Sequence, residues 1–532
     1  MKIEELANGR PLDAVIIGGG INGSAIAAEA AARGLRVALF EAADFGFGTT
    51  WRSTRLIHGG LRYLEHGDLR LVFESLHERT WLLKTRPYLV RPQRFLLPRL
   101  PWTRRPAWQL RTGLALYDML SFYRGVPSHR SLSHERLTEL APYLSSESDG
   151  GFSFFDARVL SPERLALELA LRAQSLGASV FNQAAVRRIC LHSGRTSGVE
   201  VEYQDAVYEV AARTVINAAG PWVDAVNEHT GLPMPDLLSV TRGTHIVLEL
   251  NQEIGRDAIF STARSDGRVF FTVPQQDKLL LVGTTDDRYA GDPGAVAPTP
   301  EDLDYLLDEA QTLLPGLDVA RDQIRYAFAG LRPLQRVSGG PEAAITRRHA
   351  VIEHREQGGP AGLLSIVGGK LSTFRPLARD TVSRIEGADN GRARLDPPIR
   401  GRWREEILSS ALPRPVMSHL RIYGEAVTSV LALGREPLCE HAGAIAGEIT
   451  HAVRNEQATT LSDILMRRTG IAWSACRGLC CHEAAANLAA IELGWGATER
   501  KRQVKAFEKD VEKHLPTVDA VMKGKKGRAT NH

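Results

Sequence analysis

Cysteine is scarce in this chain: five residues in 532, at positions 190, 439, 476, 480 and 481. So small and odd a number argues against a disulfide-stapled secreted scaffold and points to a reducing compartment. Long apolar runs are missing as well. No stretch approaches the ~18 residues of a membrane-spanning helix. The opening MKIEELANGR carries acids where a signal peptide would be apolar, so none is expected. Net charge is low: 66 basic against 62 acidic residues leave +4. Four of the bases, Lys523, Lys525, Lys526 and Arg528, fall in the last ten residues. That balance gives little support to nucleic acid as a partner. What remains is an ordinary soluble composition, 43% hydrophobic and 24% charged, in a chain long enough for several domains.

One absence is local. No acid occurs between Glu78 and Asp118, while nine bases do: Arg79, Lys84, Arg86, Arg91, Arg94, Arg99, Arg104, Arg105 and Arg111. Trp81, Tyr88, Phe95, Trp102, Trp108 and Tyr117 are interleaved with them. Bases with aromatics fit an anionic lipid surface, with arginines at the headgroups and rings at the interface. The alternative is a solvated loop.

Residues 12–17, LDAVII, read as a buried parallel strand. Gly18-Gly19-Gly20-Ile21-Asn22-Gly23 follows and fits G-x-G-x-x-G, then an alanine-rich helix, a second strand and Glu41. In such a unit Gly18 makes the tight turn, Gly20 admits a pyrophosphate and Gly23 lets helix and strand pack. The helix N-terminus offers free N–H groups to phosphates. Glu41 is placed to accept from a ribose hydroxyl, which favours FAD or NAD over NADP. The hydroxyl- and glycine-rich GTTWRSTRLIHGGLRY at 48–63 favours FAD, because a long flavin needs contacts along its length. Thr50, Ser53 and Thr54 are the hydroxyl candidates there. Gly220, closing the strand VINAAG, is a further cofactor candidate.

The stretches RSTRLIHGGLRYLEHGDLRLV, NAAGPWV, RGTHIVL, VGTTDDRYAGDP, AGLRPL, AITRRHAVIE and VGGKLSTFRPLA resemble, in order, the FAD-dependent glycerol-3-phosphate dehydrogenases of the respiratory, quinone-linked type. The likeness runs from about residue 12 to 380, and ITHAVRNEQATTLSDILMRRTG resembles the family's C-terminal helical cap. Trp51 departs from it, standing where the family usually has a small residue. The resemblance implies oxidation of glycerol 3-phosphate by FAD and transfer of electrons to a membrane quinone. It further implies a cytoplasmic enzyme attached peripherally to the inner face of the membrane. An oxidase using oxygen and a flavin-binding redox sensor without turnover are the competing readings. A homodimer is left open.

Alcohol oxidation by flavin needs a hydride acceptor, a base and, for this substrate, a cationic phosphate clamp. Guanidinium matches phosphate in two-point fashion. Carried over from the resemblance, Arg332 and Arg347 hold phosphate, and Arg62 and Tyr63 sit nearer the reacting end. His245 is the expected base, since an imidazole suits proton transfer at neutral pH. Lys370, in the turn Gly368-Gly369-Lys370-Leu371-Ser372-Thr373, would stabilise negative charge on reduced flavin. Gly369, Leu371 and Thr373 join it as cofactor contacts. No metal site is expected: Cys476, Cys480 and Cys481 read as lying on one helix, with no second cysteine pair to complete a set.

The expected fold is α/β: a Rossmann-type FAD domain (12–85, 150–235 and 340–390) and a mixed antiparallel-sheet substrate domain (236–340, with 86–149 and the membrane-facing segment). A C-terminal helical domain (400–515) and a basic tail (516–532) follow.

Overall fold

The computed structural model describes residues 2–61, 64, 68–122, 125–275, 278–336, 349–388 and 402–514. Two sheets organise it. The first runs in the order Ala350–Glu353, Leu363–Val367, Ala206–Asn217, Leu12–Ile17, Val37–Phe40, Ser179–Phe181. Along this order the neighbours pair in parallel except the antiparallel edge strand Ala350–Glu353, and Ala184–His192 and Arg195–Tyr203 extend Ala206–Asn217 as an antiparallel meander. These strands are short Val/Ile/Leu runs buried on both faces, as helical cover on a parallel sheet requires. The helix Ile21–Ala32 is buried along nearly its whole length. Its alanines let it lie close to the helices Pro162–Ser175 and Phe374–Val382.

The second sheet is mixed and mostly antiparallel. Its long strands are Val90–Pro98, Gly151–Val159, Leu238–Glu249 and Ile324–Gln335. The strand at 151–159 was expected in the flavin domain. It belongs instead to this sheet, because it pairs with Val90–Pro98 over nine residues. The helix that follows it, Pro162–Ser175, does cover the first sheet, so the chain crosses between layers at Ser161.

Residues 402–514 form a helical domain with one small hairpin, Pro437–Cys439 and Ala444–Ile445. It is locked to the flavin domain by buried charge. Arg468 sends two bonds of 2.7 Å to Asp44, and Arg467 Nε reaches the same carboxylate at 2.5 Å. Burial alone would raise the Asp44 carboxyl, but the two guanidiniums outweigh it and hold it well below the usual carboxylate range. Nearby, Arg164 pairs with Glu456 at 2.5 Å. Removing one partner of such a pair strands the other charge in a dry site, costing roughly 3–5 kcal/mol. Arg468→Ala is therefore expected to lower the urea midpoint sharply, measured on the flavin-loaded protein.

Candidate functional site

At the end of the strand Leu12–Ile17 the chain turns at Gly18 (φ +102°), where a Cβ would lie 2.7 Å from Ala218 O. A Cβ on Gly23 would come within 1.8 Å of Gly18 O. Both glycines are thus required by the fold itself. Gly20 differs. Its φ of −72° is open to any residue, and a Cβ there would meet only Thr50 Oγ1, at 3.4 Å. The space beside Gly20 is not filled by any of the described residues. Thr50 Oγ1 accepts from Ile21 N at 3.1 Å, fastening the hydroxyl-rich loop to the helix N-terminus. Glu41 accepts from Gly19 N (2.6 Å) and Ala43 N (2.8 Å), and burial pushes its carboxyl up to about 7.

The remaining cradle residues converge from far in sequence. Asn22 Nδ2 donates to Gly368 O at 3.4 Å, while its Oδ1 is buried with no hydrogen-bond partner among the described residues. Gly369 packs against the same side chain. Lys370 N donates to Thr373 Oγ1, Leu371 packs on the flavin-domain core, and Thr373 opens the helix Phe374–Val382. Gly220 begins the turn after Ala206–Asn217, with open space beside its Cα. The open edge at Gly20, beside the N–H groups of the helix N-terminus, fits a pyrophosphate, and the orphaned amide oxygen fits a hydroxyl or N–H donor of the attached groups, so the residues present suit a dinucleotide.

Facing this cradle is one surface of the second sheet. Along Leu238–Glu249 and its neighbour Ile324–Gln335, Thr241 pairs with Arg332, Gly243 with Gly330 and His245 with Phe328. Side chains two apart share a face, so His245 and Arg332 stand on one surface with a glycine pair between them. The Arg332 guanidinium folds over Gly243, where a Cβ would sit 2.3 Å from Nη2. It is held by Asp286 Oδ1 (2.9 Å) and Thr284 Oγ1 (3.0 Å). A Cβ on Gly283, across the other edge, would strike the His245 ring at 2.2 Å. Glycines at 243 and 283 are thus what admits the Arg332 and His245 side chains.

His245 is buried, stacked on Phe328 (4.9 Å between centroids, 13° between planes), with Nε2 2.9 Å from Thr54 Oγ1. Its Nδ1 has no hydrogen-bond partner among the described residues. Burial, with Arg332 and Arg55 nearby, pulls its pKa down to about 3, so the ring is neutral. Ser53 Oγ accepts from Arg55 N at 3.2 Å. Arg55, Thr284 and Asp286 were not singled out in the sequence, although all three lie in the quoted stretches. Arg62, Tyr63 and Arg347 lie outside the described residues.

Trp51 is explained by its surroundings. It is buried, 4.5 Å from Trp473 of the helical domain and 5.6 Å from Phe328. A small residue there would leave a hole behind the catalytic face.

Two sequence expectations need correction. The acid-free segment is not one lipid-facing surface. Arg79 is buried on Asp156, Arg86 pairs with Glu168, Arg94 with Asp257 and Arg99 with Asp149. The balancing acids come from other elements, which a sequence window cannot see. The segment still exposes Lys84, Arg104 and Arg111, and beside them it and the residues just after it expose large apolar side chains: Trp108 (71%), Met119 (53%) and Phe122 (56%). The cysteine stretch, secondly, is not helical. Residues 474–481 are turns, and the helix begins at His482.

The fold and this facing pair of layers define a two-domain flavoprotein. Residues 13–373 match the family model described as FAD dependent oxidoreductase, and residues 379–500 match the C-terminal domain of alpha-glycerophosphate oxidase. A glycerol-3-phosphate dehydrogenase of Synechocystis sp. is 34% identical, covering 94% of this chain and 96% of its own. The D-erythritol 1-phosphate dehydrogenase of Brucella abortus is also 34% identical, over 87% and 95%. Among solved structures, the glycerol-3-phosphate dehydrogenase from Bacillus halodurans complexed with FAD superposes with a TM-score of 0.76 at 26% identity, covering 96% of each chain. The chain belongs to the FAD-dependent oxidoreductases, in the branch of the glycerol-3-phosphate dehydrogenases, and FAD is its cofactor.

Proposed function

We propose that this protein oxidises sn-glycerol 3-phosphate to dihydroxyacetone phosphate and passes the electrons to a membrane quinone. The observation that carries the first half is the pairing on one sheet face of a neutral buried imidazole, His245, with a guanidinium, Arg332, across Gly243 and Gly330. Arg332 takes the substrate phosphate in exchange for its contact with Asp286. Thr54 accepts the Nε2 proton of His245, so the Nδ1 lone pair receives the substrate's hydroxyl proton. Bound FAD supplies the acceptor for the hydride leaving the same carbon. Phe328 and Trp473 exclude water behind the imidazole. Lys370 stands at the cofactor side, where a cation balances negative charge.

Anaerobic addition of glycerol 3-phosphate should bleach the flavin absorbance, and glycerol should not. D-Erythritol 1-phosphate is the second reading, favoured by the equally similar Brucella relative. It has the same terminal phosphate, so relative bleaching rates decide between the two. A charge-assisted contact is worth roughly 1.5–3 kcal/mol, so Arg332→Ala should lower kcat/KM for the preferred substrate roughly 10- to 150-fold. Lysine should rescue only in part. Wild-type efficiency in Arg332→Ala would place the phosphate elsewhere.

For the acceptor, the exposed face of the helix Ala107–Leu120 is the membrane contact. Trp108 and Met119 are three turns apart on one side of it, and Phe122 follows. Beneath lies a cavity of about 330 Å³ lined by Leu61, Leu97, Trp108, Leu110, Leu114 and Phe260. Leu61 follows directly on the glycines of the flavin loop, so an apolar acceptor in this cavity would approach the cofactor from the lipid side. No helix among the described residues is long and apolar enough to cross a membrane. Replacing Trp108, Met119 and Phe122 together by Ser should weaken vesicle co-sedimentation tenfold or more, by the roughly 1.5–3 kcal/mol each large apolar side chain contributes. Quinone turnover should fall while turnover with a water-soluble dye persists. Because four of the eight arginines between Glu78 and Asp118 are paired with acids, the binding should depend on salt less steeply than the segment's charge alone implies. Unchanged co-sedimentation of the triple variant would move the contact elsewhere.

A further inference from the structure

The helical domain brings together four side chains that the flavin chemistry does not use. Cys439 ends the first strand of the small hairpin and His441 lies in its turn. Cys476 and Cys480 come from the turns after Trp473. The Sγ atoms of Cys439 and Cys476 are 3.6 Å apart, those of Cys439 and Cys480 3.5 Å, and those of Cys476 and Cys480 3.1 Å. With a ring nitrogen of His441, the four donor atoms all lie within 4.8 Å of one another. Three of the chain's five cysteines thus meet at one point, with an imidazole.

From these residues we infer a structural zinc site, Cys439, His441, Cys476 and Cys480. A tetrahedral zinc with Zn–S bonds of ~2.3 Å sets its sulfurs ~3.8 Å apart, and the three thiols need only small shifts to reach that spacing. Thiolate and imidazole are the donors that suit zinc, and no carboxylate belongs to the set. Four protein donors close the coordination shell, so the ion is structural. A disulfide would use two of the sulfurs and leave the third thiol and the imidazole aimed at it without purpose. An iron–sulfur cluster needs more room between its ligands than this. Cys481 adjoins Cys439 and Cys480 but falls outside the four-donor set, its Sγ donating to Gly478 O. Ser474 Oγ lies 3.2 Å from Cys476 Sγ, positioned to support that ligand. Cys480 and His441 are exposed, so the ion can enter from solvent.

The clip would act on the site indirectly. It fastens the hairpin to the turn that follows Trp473, whose ring packs on Trp51 of the flavin loop and whose carbonyl accepts from Tyr326 OH at 3.0 Å. Zinc therefore holds the wall behind His245.

Elemental analysis of the full flavin-loaded chain, purified without chelator, is the test. About one zinc per chain is expected, falling to about a tenth in Cys480→Ser and in His441→Ala, both exposed positions that spare folding. Cobalt added to the reduced, zinc-stripped protein should give thiolate charge-transfer absorption and tetrahedral bands to the red of the flavin, absent in Cys480→Ser. A chain that carries no zinc and takes up neither zinc nor cobalt after thiol reduction overturns the site. So does a thiol titration of the denatured, unreduced protein that finds a Cys476–Cys480 disulfide.

Discussion

His245→Asn should leave a yellow, folded protein whose flavin is reduced by substrate roughly 100- to 10,000-fold more slowly, the usual contribution of a positioned general base. Asparagine keeps a polar contact to Thr54 and a planar group against Phe328, but it cannot take the hydroxyl proton. The loss should appear in the rate constant for anaerobic flavin reduction, with little change in the substrate concentration needed for half-maximal rate. That split separates His245 from Arg332, whose loss should fall chiefly on substrate affinity. Equal reduction rates in wild type and His245→Asn would remove the imidazole from the proton path.

The same residue has a signature in stability. Its folded pKa of about 3 lies below the unfolded value of 6.5. Between those values the unfolded chain binds a proton that the native state refuses, so stability contributed by the neutral ring is present above pH 6.5 and is lost as pH falls towards 3. Acidification from pH 7.5 to 5 should therefore lower the urea midpoint of the wild type more than that of His245→Asn.

Gly20→Val should abolish FAD binding, from about one flavin per chain to less than about a tenth, because a side chain there occupies the place of the pyrophosphate. The structure makes this a clean experiment. A Cβ at position 20 meets no backbone atom of the described residues, and the position has an ordinary φ. The chain should fold to a colourless protein with the circular dichroism of flavin-stripped wild type. Gly23→Ala, by contrast, drives a Cβ into Gly18 O and should cost the fold as well as the cofactor. A yellow, flavin-replete Gly20→Val protein would mean that the dinucleotide lies elsewhere.

Local pattern was enough to place the cofactor. The strand, G-x-G-x-x-G turn, buried alanine helix and terminal Glu41 are contiguous, and each is set by neighbours a few residues away. His245 and Arg332 could be named as candidates for another reason: each sits in a stretch whose residue order is itself distinctive. Tertiary structure alone decided the rest. Charge compensation is a long-range property: the arginines of the acid-free segment meet Asp149, Asp156, Glu168 and Asp257, none of them within the window. Trp51 becomes intelligible only beside Trp473, more than four hundred residues later. The strand Gly151–Val159 was drawn out of the flavin domain by its pairing partner, since strand pairing depends on what lies alongside. The four-donor cluster stayed hidden because Cys439 and His441 lie 35 to 41 residues from their partners Cys476 and Cys480, and only the fold of the hairpin closes that loop.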